Sequence, residues 1–210
     1  MLFSLLLALG VPPSATAAVL SCTPGSTEIE GVKVCAGARL ESPAISLGLV
    51  GAGLRYKKVA FIKAKVYVGE FFADSPAKIV KTFDGALASL AAEKVVAIRL
   101  TFVRDVDGEK VSNGFKEALE ENKVQLDSAE VRQFLGAVTS GGAVKEKQAL
   151  TVVGDKRGTK EAVSYENAAG KLVNITGEPG FVQNIFSIWL GKIDDSGLEN
   201  LKNEILGLKK

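Results

Sequence analysis

The sequence predicts an α+β protein in which one sheet is covered on one face by helices and left partly open on the other. Three observations point there. The segments run as strands, then helices, then an antiparallel meander, then helices again. The strict strand-helix-strand alternation that builds a parallel sheet is missing. Several strand candidates carry apolar residues on one side only, the mark of a half-buried sheet.

In chain order, TEIEGVKVC (27–35) alternates polar and apolar residues around Gly31, which predicts an N-terminal hairpin. Residues 59–68 read as one continuous strand, with Ile62, Ala64, Val66 and Val68 on one face and Phe61, Lys63, Lys65 and Tyr67 on the other. Asp74-Ser75-Pro76 opens a helix with proline in its first turn, and Ile79, Val80, Phe83, Leu87 and Leu90 continue it to residue 92. VVAIRLTFVR (95–104) reads as a central strand. A second helix spans 108–122 with Asp107 as its cap. A third starts at Asp127, where DSAE has capping-box form, and ends at Ser140-Gly141-Gly142. QALTVV, EAVSYE and KLVNIT form the meander, and helices near 181–190 and 196–206 close the chain, with Asp194-Asp195 capping the last.

At 210 residues the chain suits one domain with a sizeable core, and no linker or internal repeat divides it. A net charge of +2 is too small a footprint for nucleic acid or an anionic membrane surface. Histidine is absent and only two cysteines occur, so Ser-His-Asp, Cys-His and HExxH chemistry are excluded, and neither a metal site nor a cofactor is expected. The start, MLFSLLLALGVPPSATAA, has an apolar run from Leu2 to Val11, a Pro12-Pro13 break and an Ala15-Thr16-Ala17 tripeptide. That pattern predicts a signal peptide over 1–17 and export of a single domain, 18–210, to a periplasm or the outside. Ten apolar residues fall short of the ~20 that a membrane-spanning helix needs, so no span is expected after cleavage. Cys22 and Cys35 then have three readings: a disulfide, a lipid attachment at Cys22, or free thiols.

GLVGAGLR (48–55) asks why an arginine follows three glycines. Gly48, Gly51 and Gly53 do not match G-x-G-x-x-G and no helix follows them, which argues against a nucleotide site. Glycines ahead of a strand serve where another group approaches the backbone. Arg55 at the strand mouth is either a rim arginine with its stem on apolar surface or an anion clamp facing an apolar hollow, with no acidic neighbour. Lys63 and Lys65 read as exposed solubilising residues, and Phe186 and Trp189 as packing for the closing helices.

GLVGAGLRYKK, KVYVGEFFADSPAKIV, IRLTFVRDVDGEKVSNGFKEALEEN and the NITGEP-to-IWLGK ending together resemble the chalcone isomerase-like family over roughly residues 27–206. The resemblance implies an open-faced β-sandwich, a large antiparallel sheet overlaid by helices. It also implies that Arg55 holds an anion: a substrate phenolate in the true isomerases, a carboxylate in the fatty-acid-binding members. Counted along the matching blocks, the other polar positions of the enzymes fall on Tyr67, Val111, Ala118 and Ile188. Three of those four are apolar, and each missing oxyanion donor is worth about 3 kcal/mol of barrier. The expectation is therefore a non-catalytic binder of a fatty acid or similar amphipathic anion, with Arg55 and Tyr67 on its head group and Val111, Ala118 and Ile188 along a tunnel. The alternatives are an intramolecular lyase that cyclises a chalcone-like enone and a structural module with a filled cleft. Twelve residues of unbroken strand would set Arg55 and Tyr67 roughly 40 Å apart. Shared contact requires the chain to reverse between them.

Overall fold

The structure, a computed structural model, describes residues 18–208. The signal peptide expected over 1–17 lies outside the described residues. Eight strands form one sheet in chain order, each pair antiparallel: β1 Leu20–Ile29, β2 Val32–Glu41, β3 Ala44–Val59, β4 Ile62–Ala73, β5 Val95–Phe102, β6 Ala149–Asp155, β7 Glu161–Glu166 and β8 Leu172–Gly177. The helices are α1 Gly85–Ser89, α2 Gly108–Glu121, α3 Ala129–Ser140, α4 Phe181–Leu190 and α5 Ser196–Leu206. This is the α+β sheet-and-helix layering that the segment order predicts.

The main core lies between the sheet and the helices. Phe71, Ile98, Leu100 and Val152 from the strands meet Phe115, Phe134, Phe186, Trp189 and Leu201 from α2 to α5. Alternation along each strand sends the neighbours Phe72, Ala97 and Val153 to the opposite face. That face is partly covered by the chain's own start. β1 and β2 curl back over it, so the Cys35 N–H donates to the Glu70 carboxylate on β4 at 2.7 Å and the Val19 N–H to Glu166 on β7 at 3.3 Å. Leu20, Cys35, Ala38 and Leu40 close this smaller core. Cys22 and Cys35 are joined as a disulfide, with Cα atoms 5.6 Å apart.

Several local expectations are corrected. Residues 59–68 are not one strand: Val59 pairs with Ile62, and Ala60-Phe61 turn the chain. Ala60 takes φ 52, a left-handed conformation usually given to glycine, which is why no turn residue announces the reversal. The glycine cluster does not precede a strand but lies inside β3. Its glycines admit α5: a Cβ on Gly51 would sit 2.0 Å from the Ile205 carbonyl oxygen, and one on Gly53 2.5 Å from the Glu204 Cβ.

The long helix expected over 76–92 is instead a 3-10 turn at Pro76–Lys78, an irregular stretch, α1 and a second 3-10 turn at Leu90–Ala92. Asp74 does not cap it. Its carboxylate accepts the Lys94 and Val95 N–H groups, and the Ser75 N–H goes to Glu93, so the helix-start residues are used to close the loop. The capping box at Asp127 does not form either: Ser128 is the N-cap of α3 and makes no side-chain cap bond. Asp107 is the N-cap of α2 as expected, although its carboxylate pairs with Lys110 and makes no side-chain cap bond.

Candidate ligand-binding site

β3 and β4 form the wall that places the candidate residues. Antiparallel register sets Arg55 directly opposite Tyr67, so the reversal at Ala60-Phe61 removes the expected separation. One residue further along, Tyr56 pairs with Lys65, leaving Val66 as a bulge on β4. A bulge turns successive side chains toward the same side, and Val66 and Tyr67 both line one cavity. α2 adds Val111 and Phe115 to the lining, α4 adds Ile188 and α5 adds Leu198.

The cavity is partly open to solvent and has a volume of about 480 Å³, within the range of pockets for small organic ligands. Arg104, Lys110, Asn113 and Glu117 ring its polar edge. Of the residues assigned from sequence, Arg55, Tyr67, Val111 and Ile188 meet at this cavity. Ala118 does not line it. One helical turn beyond, Ala118 is buried in the core under α2, and the expectation that it faces the ligand is corrected.

Arg55 is not free of acidic neighbours, which corrects a further expectation. Its Nη2 lies 3.6 Å from Asp195 Oδ2, an ion pair longer than a hydrogen bond, and its side chain is only 15% exposed. Lys57 takes the same oxygen at 2.7 Å. The other oxygen, Oδ1, accepts the Gly197 and Leu198 N–H groups, each at 2.9 Å, and so caps α5. Burial alone would raise Asp195. The Lys57 and Leu198 hydrogen bonds and the Arg55 charge outweigh it and hold the carboxyl below its ordinary range. One carboxylate against two cations leaves a positive charge where Arg55 and Lys57 line the cavity.

Tyr67 is buried, with Arg55 5.7 Å from its ring centroid. Trp189 Nε1 donates to its hydroxyl at 3.3 Å. Burial raises its pKa against the opposing pull of Arg55 and Trp189, so Tyr67 stays a neutral phenol. With its oxygen accepting from Trp189, the phenol keeps its own proton to donate. Trp189 therefore does more than pack.

The sequence marks Asp195 and Trp189 only as cap and core residues, and it does not single out the rim residues Arg104 and Asn113 for a site. Arg104 ends an apolar strand pattern as a charge, a signal that could have found it. Asn113 carries none. Among the described residues no cluster of side chains suits a metal ion, and no helix is long and apolar enough to cross a membrane.

One antiparallel sheet overlaid by one layer of helices, with an apolar cavity lined by its longest hairpin and by a guanidinium, defines an open-faced α+β class of fold. Within it, the chain belongs to the chalcone isomerase-like family, whose model matches residues 26–207. No curated protein sequence matches the chain significantly. Among solved structures it is similar to a fatty-acid binding protein of Arabidopsis thaliana, at 18% identity and a TM-score of 0.53, covering 76% of this chain and 86% of that one. At that identity the likeness speaks for the fold.

Proposed function

We propose that the protein binds a fatty acid or a similar amphipathic organic anion, with its head group on Arg55 and the Tyr67 hydroxyl and its apolar part along Val66, Phe102, Val111, Phe115 and Ile188. The observation that carries this reading is the cross-strand pairing of Arg55 with Tyr67 in the wall of an apolar cavity. A guanidinium and a phenol can hold one carboxylate by charge-assisted hydrogen bonds. The fatty-acid binding neighbour supports the same reading. The cyclising alternative needs donors around a developing enolate, and Val111 and Ile188 supply none at the cavity wall. The filled-cleft alternative is disfavoured by the open volume itself.

Mass spectrometry of lipids that co-purify with the native protein tests this without a guess at the ligand. Arg55→Ala is expected to lower affinity for an added long-chain fatty acid about 10- to 100-fold, the worth of a hydrogen bond to a charged group. Chalcone cyclisation accelerated by the wild type and abolished in that variant would overturn the binder in favour of the enzyme. Export is the companion proposal, supported by the apolar Leu2–Val11 run, the small residues that follow and the Cys22–Cys35 disulfide. An intact mass beginning after Ala17 in an exported fraction is the expected result.

A further inference from the structure

The β3–β4 hairpin projects beyond the cavity it lines, and its tip is apolar. Phe61 is 101% exposed and Ile62 71%, the two most exposed large hydrophobic side chains among the described residues. A contiguous exposed apolar patch rimmed by polar residues marks an interaction site. Local chemistry does not call for them: a two-residue hairpin turn favours Asn, Asp and Gly, whereas here an alanine with φ 52 precedes a phenylalanine.

The arms beside the tip are basic, a local excess that the chain's small net charge of +2 does not show. Residues 55–65, RYKKVAFIKAK, hold Arg55, Lys57, Lys58, Lys63 and Lys65 and no acidic residue. Lys57 is paired with Asp195 and Lys65 with Glu30. Lys58 and Lys63 are exposed, Lys63 with its ammonium 4.6 Å from the Tyr56 ring centroid. An aromatic and an aliphatic tip flanked by lysines suits the boundary of an anionic bilayer. Apolar groups there enter the acyl edge while ammonium groups meet lipid phosphates, and the buried apolar area and the electrostatic attraction add.

We propose that this hairpin tip docks the protein on anionic lipid surfaces, with Phe61 and Ile62 inserted and Lys58 and Lys63 on the head groups. The inference rests on the reading of the cavity as an amphipathic-anion site and extends it. The arms that carry the tip also supply Arg55, Lys57, Ala64, Val66 and Tyr67 to the cavity, so docking would bring the cavity close to the membrane in which such a ligand resides.

The test places a reporter at the tip of the full chain. Phe61→Trp is mixed with vesicles containing brominated phospholipid, either neutral phosphatidylcholine or the same lipid with roughly one-third phosphatidylglycerol. The wild type, whose one tryptophan is the buried Trp189, supplies the background. Reading position 61 directly separates tip insertion from any binding by the apolar Leu2–Val11 run.

The expected result is strong quenching on anionic vesicles and little on neutral ones. Lys58→Glu with Lys63→Glu, placed in the Phe61→Trp chain, should weaken partitioning at least about ten-fold. Absence of quenching on anionic vesicles, or equal quenching on neutral ones, overturns the proposal. So does a concentration-dependent blue shift of the Phe61→Trp emission without lipid, which would assign the tip to a second copy of the chain. Fatty-acid titration of Phe61→Ser with Ile62→Ser in vesicle-free buffer is expected to match wild type, so loss of docking and loss of ligand binding are read separately.

Discussion

Asp195 shows how one side chain can serve three demands. It caps α5 through one oxygen and receives Lys57 and Arg55 on the other. Asparagine is as good an N-cap as aspartate but carries no charge. Asp195→Asn should therefore keep α5 folded while leaving Arg55 and Lys57 uncompensated, and affinity for a carboxylate ligand should rise several-fold. Isothermal titration beside a denaturation curve checks both halves. An unchanged affinity would mean that the 3.6 Å contact does not restrain Arg55. At this scale the sequence is half legible: Arg55 and Tyr67 stand out by their blocks, whereas the pairing of Asp195 with Arg55 and Lys57 depends on α5 lying along β3, which no local pattern encodes.

The same dependence governs the elements. α5 reaches β3 because Gly51 and Gly53 have no side chains, and Gly197 lets its first turn approach the Tyr56 carbonyl, from which a Cβ would be only 1.6 Å away. Gly51→Ala would drive a methyl into the Ile205 backbone rather than into a yielding side chain. A loss of about 1–3 kcal/mol of stability is expected from such overpacking, with weakened ligand binding because the helix that positions Asp195 must shift. Urea denaturation measures the first, and a stability unchanged from wild type would refute the close packing.

The glycines are visible in the sequence as a cluster, but their partner is not. Nor is the Ala60-Phe61 reversal, since its residues have no turn preference, or the bulge at Val66, which leaves the apolar pattern of β4 intact. Layer order, the meander and the two closing helices are legible because periodicity and turn residues agree there.

Across the whole molecule, the return of β1 and β2 over the far face of the sheet buries a polar row. Glu70, Arg99, Thr151 and Glu166 lie side by side on β4 to β7. Glu70 is fully buried, with Arg99 Nη1 at 3.9 Å and one carboxylate oxygen unbonded. The sequence carries a signal for it, since each of two neighbouring apolar runs, VYVGEFFA and VVAIRLTF, holds a single charge.

Burial raises the pKa of Glu70 despite the Cys35 N–H and Arg99, and that of Glu166 despite Val19 N–H and Arg99. The folded state therefore holds these protons more tightly than the unfolded chain. The stability they contribute is fully present below the ordinary glutamate value and is lost as pH rises through the elevated one. Wild type should gain on Glu70→Gln as pH falls from neutral toward about 4. Denaturation of both at several pH values checks the sign, and a constant difference would contradict it.

The two-residue turn at Ala60-Phe61 also fixes how this hairpin can vary. Because side chains alternate, lengthening both arms by a matched pair extends the finger and leaves Arg55 facing Tyr67. A single residue gained in one arm, unless absorbed by another bulge, would swing the guanidinium or the phenol to the back of the sheet. Reach is thus adjustable in whole steps while the pairing at its base is all or nothing.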